Sequence, residues 1–212
     1  MLDLLIKGGP VMIPILLGSI VGVAIVLERL WLFRGCGASE MRGLAQRVFK
    51  LLKEGKAPEA LNLCAEHPRS PLAVLLRVGL ERRSLPLDRL EKILEQVGNN
   101  QVQKLEKWMG TLATIISIEP LMGFLGTIVG LIKAFMSWEQ AGANVTVNSL
   151  AGGIYQAMIT TAAGLIIAVP LFLFYNYIVS QVKAIANDLT NHAIQLSELL
   201  AEERTEPSGG KA

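Results

Sequence analysis

The chain has little of what an enzyme or a metal centre is built from. Its two cysteines, Cys36 and Cys64, stand far apart in a charged segment. They have neither zinc-ligand spacing nor the density of a disulfide framework, and so read as small hydrophobes. Histidine is as scarce, with only His67 and His192, so no metal-ligand cluster is expected. No glycine loop of the phosphate-cradling kind is present, nor a nucleophile with a base near it. Enzymatic chemistry, a cofactor and a metal are therefore not expected. The net charge is only +2, with 20 Lys and Arg spread among 18 acids. That balance argues against nucleic acid as a partner. The N-terminus lacks a basic start and a small-residue cleavage site, so its apolar stretch is not expected to be a removable signal peptide.

What the chain has in excess is apolar sequence. Apolar residues make up 51% of it, at a mean hydropathy of +0.44, and they gather in three blocks. Val11 to Phe33, Leu112 to Trp138 and Ser149 to Tyr177 each exceed the roughly 20 residues that a bilayer requires. The first is interrupted only by Glu28 and Arg29, near its end, where such side chains snorkel or pair. The segment from Arg34 to Lys107 carries 14 Lys and Arg, whereas that from Glu139 to Asn148 carries none. The positive-inside rule then places the long segment in the cytoplasm.

The expected organisation follows. An outer N-terminus and first transmembrane helix (1–33) precede a cytoplasmic helical insert (34–110). A second transmembrane helix (111–138), a periplasmic loop (139–148) and a third transmembrane helix (149–178) come next. A cytoplasmic helical extension (179–204) and a disordered tail (205–212) close the chain. The fold class is an all-α membrane protein with three transmembrane helices. Within the insert, apolar positions recur at helical spacing from Ser39 to Glu54. Pro58 opens a short helix, Ser70 caps another from Leu72, and Pro86 starts a long helix running toward the second span. After the third span, Ile178, Val182, Ile185, Leu189, His192, Leu196 and Leu199 form a heptad seam.

Both closing spans carry small residues at three- and four-residue steps. In the second these are Gly123, Gly126, Thr127, Gly130 and Ala134; in the third, Gly153, Ala157, Thr161, Gly164 and Ala168. Small residues let helix backbones approach where lipid gives no hydrophobic drive for association. A membrane threonine has a local reading, a back-bond to the carbonyl four residues earlier. Threonine in both stripes points instead to a shared polar lining. The striped faces are expected to build a ring, with Thr127 and Thr161 inward and the first helix outside. Lys133 is expected to snorkel outward. Glu119, beside Pro120, is either a membrane-buried acid or an interfacial one. Gln156 and Thr160 lie one turn apart on one face, with an interhelical hydrogen bond expected of Gln156.

Two motifs identify a family. Pro120-Leu-Met-Gly-Phe-Leu-Gly-Thr-Ile-Val-Gly130 and Thr160-Thr-Ala-Ala-Gly-Leu-Ile-Ile-Ala-Val-Pro170, followed by Tyr175-Asn176, resemble the MotA/TolQ/ExbB proton-channel family, in its ExbB/TolQ branch. The resemblance covers nearly the whole chain. It implies a homopentamer in the bacterial inner membrane around two copies of a single-span ExbD/TolR-like subunit, whose aspartate carries the proton. Thr127 and Thr161 would face that aspartate, and a TonB/TolA-like transducer would deliver the force to the outer membrane. One position departs from the pattern: where the family has glutamate on the third helix, this chain has Gln156, which cannot exchange a proton. Either the position is structural, or Glu119 supplies the acid. A non-conducting scaffold, a sodium-driven stator and a motility stator are the alternatives. The short cytoplasmic insert separates the chain from flagellar stators.

Overall fold

Helix formation follows apolar periodicity through the described residues, 8–33, 38–141 and 147–205, of the computed structural model. The helices are α1 (Met12–Phe33), α2 (Ala38–Lys53), α3 (Ala57–Glu66), α4 (Pro71–Glu81), α5 (Leu87–Leu105), α6 (Met109–Ala141) and α7 (Val147–Thr205). Among the described residues there is no strand. Apart from Thr205, which ends α7, the expected disordered tail lies outside the described residues. So do Cys36 and residues 142–146 of the expected periplasmic loop.

The helix ends have local causes. After α2, Gly55 sits at φ 72°, a left-handed conformation that glycine takes without a Cβ clash. Its N–H donates to Leu52 O at 2.9 Å, and Lys56 N–H donates to Leu51 O at 2.9 Å. These two bonds form a Schellman cap, which satisfies carbonyls that the helix end would leave open. Pro58 falls in the first turn of α3. Pro71 opens α4, with Ser70 Oγ accepting from Ala73 N–H at 3.5 Å. Proline tolerates the first turn because it lacks an N–H that would find no partner there.

The helix after Pro86 does not run on into the second span. It stops at Leu105, and Trp108 takes φ 67° before α6 begins. No Gly or Pro between 99 and 108 signals the break. The exposed carbonyls at that end have a substitute donor: Arg29, 3% exposed, donates from Nη1 to Lys104 O and to Leu105 O, both at 3.3 Å. A cation at a helix C-terminus also meets the negative end of the helix dipole.

The chain divides into two compact units. The first comprises Met1–Glu28 and Trp108–Tyr177, and so holds most of α1, α6 and the first half of α7. The helices α1, α6 and α7 are each long and apolar enough to cross a membrane, with apolar windows of mean hydropathy 2.0, 1.9 and 2.2. Only 28%, 22% and 28% of those windows are buried within the chain, so their outer faces call for lipid or further subunits. Ile20 and Trp31 of α1, Phe124 and Phe135 of α6, and Met158 and Ile166 of α7 are among the exposed apolar side chains. Such a surface belongs to a membrane protein. Pro120 and Pro170 lie inside α6 and α7, a placement that membrane helices tolerate.

The second unit comprises Arg29–Lys107 and Ile178–Ala212. Leu72, Leu76, Leu90, Leu94, Leu189 and Leu196 are fully buried within it. Gly79 of α4 is where packing is tightest, since a Cβ there would lie 2.4 Å from Leu196 Cδ2 and 3.1 Å from Leu94 Cδ2. The heptad seam is buried at Ile178, Val182, Ile185, Leu189 and Leu196, but its last position is Leu200 and not the expected Leu199. A straight helix turns every 3.6 residues, so a 3.5-residue pattern drifts off the buried face after three heptads. His192, half-buried, packs against the Phe49 ring at a centroid distance of 5.8 Å.

Candidate functional site

The two small-residue stripes meet each other inside one chain. Gly130 is locked against the α7 backbone: a Cβ there would lie 2.7 Å from Gly153 O, 2.8 Å from Ala157 N and 2.9 Å from Ala157 Cβ. A Cβ on Gly153 would lie 2.7 Å from Ala134 Cβ and 2.7 Å from Gly130 O. Further along, Gly126 faces the Thr160 side chain, Gly123 faces the backbone of Thr160 and Thr161, and Gly164 faces Glu119 O. Positions rise along α6 as they fall along α7, so the helices cross antiparallel. The stripes therefore hold α6 to α7 within one chain. The outer faces of both helices, at Phe124 and Phe135 of α6 and Met158 and Ile166 of α7, are exposed and apolar.

The close approach lets threonine hydroxyls reach carbonyls across the contact. Thr161 Oγ1 donates to Gly123 O at 3.1 Å, and Thr127 Oγ1 lies 3.3 Å from Ala157 O and 3.4 Å from Gly123 O. The Thr127 and Thr161 hydroxyls also bond to each other. Both residues are half-buried. Thr160 behaves differently. It is fully buried, and its hydroxyl faces Gln156 O at 3.2 Å and Ala157 O at 2.9 Å on its own helix. Thr160 bonds only within its own helix, whereas Thr127 and Thr161 form a hydroxyl pair between helices, Thr127 keeping a back-bond to Gly123 O as well. A paired hydroxyl exchanges hydrogen bonds with water or a carboxyl without adding charge.

Gln156 joins three elements. Its Oε1 accepts from Lys133 Nζ of α6 at 3.4 Å, and its Nε2 donates to Gly8 O at 3.4 Å. Gly9 takes φ 71°, and a Cβ there would lie 2.2 Å from Gln156 Nε2. The Lys133 bond is missed by sequence reasoning, which sends that side chain outward. Its signal lies in the antiparallel register: once Gly130 meets Gly153 and Ala157, Lys133 and Gln156 fall within one turn of the same crossing.

Glu119 is 3% exposed. It is covered by protein and not by solvent. It does not join the threonine pair. Its Oε1 lies over Gly18 of α1, where a Cβ would come within 2.0 Å of it. Gly18-Ser-Ile-Val-Gly22 is a small-residue spacing on the first helix that could have located this contact. Gly22 packs beside it, against Leu171 of α7 and Ile115 of α6.

Comparison with known proteins gives one consistent result. A model of the MotA/TolQ/ExbB proton channel family matches residues 67–191. The biopolymer transport protein ExbB-like 1 of Synechocystis sp. is 31% identical over 185 residues, which is 85% of this chain and 71% of that protein. The Tol-Pal system protein TolQ of Haemophilus influenzae is 35% identical over 102 residues, covering 48% of this chain and 44% of TolQ. The biopolymer transport protein ExbB of Neisseria gonorrhoeae is 30% identical over 151 residues, or 70% of this chain and 64% of that protein. The chain thus spans less than two thirds of the TolQ and ExbB proteins and more of the ExbB-like one.

Proposed function

The chain belongs to the MotA/TolQ/ExbB proton channel family, and from that premise we propose that it is the ring-forming channel subunit of a motor driven by the proton motive force. The motor sits in the bacterial inner membrane, with the N-terminus of this chain periplasmic and its C-terminus cytoplasmic. It is a homopentamer that surrounds two copies of a single-span ExbD/TolR-like subunit and energises outer-membrane transport or envelope processes through a TonB/TolA-like transducer. The observation that carries this reading is the Thr127–Thr161 hydroxyl pair, fixed by bonds to Gly123 O and Ala157 O. It supplies neutral, exchangeable hydrogen bonds at membrane depth to a carboxyl on the partner helix.

In this reading Thr127 and Thr161 line the proton path. Thr160 and Gln156 support it from behind, and Gly123, Gly126, Gly130, Gly153, Ala157 and Gly164 hold the two helices together, with Pro120 and Pro170 shaping them. Membrane lipid covers the outer apolar faces. The test is co-reconstitution with a single-span ExbD/TolR-like protein, followed by proton flux in liposomes. Flux that needs both proteins supports the reading. Flux that stops when sodium is replaced by potassium at constant pH gradient would assign a sodium-driven stator.

One observation favours a second reading. Gln156, at the position where the family resemblance implies a glutamate, is occupied in binding Lys133 and Gly8. That supports a scaffold that holds partner helices and conducts nothing. Assembly without flux in the same liposomes would select it.

A further inference from the structure

Glu119 is the ionisable side chain of the membrane unit that the threonine pair does not use. It is 3% exposed, and its Oε2 has no hydrogen-bond partner among the described atoms. Its Oε1 is covered by Gly18, with Ile115 forming the neighbouring wall. Its backbone carbonyl is pressed against Gly164 of α7. None of these neighbours titrates. On α1 the titratable groups are Glu28 and Arg29, ten and eleven positions from Gly18, about 15 Å along a helix that rises 1.5 Å per residue. On α6, Lys133 is fourteen positions away, about 21 Å. On α7, Tyr155 and Tyr175 lie nine and eleven positions from Gly164, about 14 and 17 Å. Among the described residues, the helices packed against the carboxyl therefore bring it no counter-charge.

A carboxylate with an unpartnered oxygen in an apolar contact is costly, whereas a neutral carboxylic acid carries no net charge to desolvate. Glycine at position 18 is what lets α1 close over the group. We propose that Glu119 is a proton-binding site at the contact between α1 and α6, separate from the threonine pair. The carboxyl holds a proton while Gly18 covers it, and gives that proton to water when the contact opens. A proton taken up or lost at Glu119 is thus coupled to the seating of the first helix. The site needs no partner subunit and no flux, so it stands or falls independently of the function proposed above.

The test is carbodiimide labelling of the full chain in liposomes at pH 7, mapped by peptide mass. Dicyclohexylcarbodiimide is lipid-soluble and its reaction starts with the proton of an un-ionised acid. A water-soluble carbodiimide with an amine reports carboxyls open to solvent. The expected result is modification of Glu119 by the first reagent and protection from the second. The first label should be lost entirely in Glu119→Gln. In Gly18→Ala the added methyl displaces the carboxyl, and labelling by the water-soluble reagent should rise severalfold. Labelling of the wild type by the water-soluble reagent, labelling by neither, or a Gly18→Ala chain that labels as the wild type does would each overturn the proposal. The comparison of reagents on the wild type decides the matter even if Gly18→Ala does not fold.

Discussion

Gly130→Ala should break the contact between the second and third membrane helices in a way that can be sized from the geometry. The new Cβ would sit 2.7 Å from Gly153 O and 2.8 Å from Ala157 N. Both are backbone atoms, so no rotamer change relieves the clash. Ordinary contact begins near 3.4 Å, so the helices must part by 3.4 − 2.7, about 0.7 Å. Overpacking of this kind costs about 1–3 kcal/mol. The separation also stretches the bond from Thr127 Oγ1 to Ala157 O, now 3.3 Å, beyond hydrogen-bond range, adding about 0.6 kcal/mol. Alanine favours a helix over glycine by about 1 kcal/mol, which offsets part of the loss. Gly152→Ala removes that ambiguity, because nothing lies within 4 Å of the Cβ position there and only the propensity gain applies. The assay is reversible unfolding in mixed micelles with increasing dodecyl sulfate, followed by circular dichroism. Gly130→Ala should be less stable than Gly152→Ala by about 1.6–3.6 kcal/mol, the sum of overpacking and the lost bond, since the propensity gain is common to both. Equal midpoints for the two variants would refute the claim that the stripes hold α6 to α7.

Other expectations are of the same kind. Gln156→Leu removes the bonds to Lys133 and Gly8 and should lower the free energy of unfolding by on the order of 0.6–2 kcal/mol, whereas Gln156→Glu, which can accept from Lys133, should be tolerated; a leucine variant as stable as the wild type would remove the fastening role. Gly55→Ala, at φ 72°, should destabilise by about 1–2 kcal/mol, and Gly43→Ala, exposed within α2 with nothing near its Cβ position, should stabilise by up to about 1 kcal/mol; both are read by thermal unfolding. Burial pushes the Cys64 thiol up from 9.0 to about 11, with Arg77 opposing. Below pH 9 the thiol is protonated in both folded and unfolded chains and contributes nothing. From pH 9 to 11 the unfolded chain releases a proton that the folded one keeps, so stability should fall by up to about 1.4 kcal/mol per pH unit. A Cys64→Ala chain that loses stability equally steeply over that range would contradict this.

Much of the architecture could be read from the sequence because its signals are local. Apolar runs longer than a bilayer is thick fix three membrane helices, and Ser70 and Pro71 mark a helix start through a hydroxyl and a missing N–H. The seam from Ile178 to Leu196 was legible because its burial repeats at helical spacing. The break at Trp108 was not, because its cause lies far away in sequence: Arg29 accepts the task of binding the last carbonyls of α5. The stripes of α6 and α7 were legible as contact surfaces, yet not as surfaces that meet within one chain, since composition says that a face packs tightly and not against which copy. The place of Glu119 escaped for a similar reason. Its partner is an absence, the missing side chain of Gly18, some hundred positions earlier in the sequence.

Proton flux through liposomes that contain this chain and the proposed single-span partner, with wild type beside Thr161→Val, tests the central claim most directly. Valine keeps the shape and removes the hydroxyl that bonds to Gly123 O at 3.1 Å and to Thr127. Native mass spectrometry of the same samples checks whether the proposed assembly of five copies around two forms in both. The account predicts flux only when both proteins are present, an intact assembly in the variant, and a flux reduced roughly tenfold, about 1.4 kcal/mol of barrier and close to the worth of one hydrogen bond, with Thr161→Ser restoring it. An assembled Thr161→Val complex that conducts as the wild type does would contradict the claim that the threonine pair lines the path.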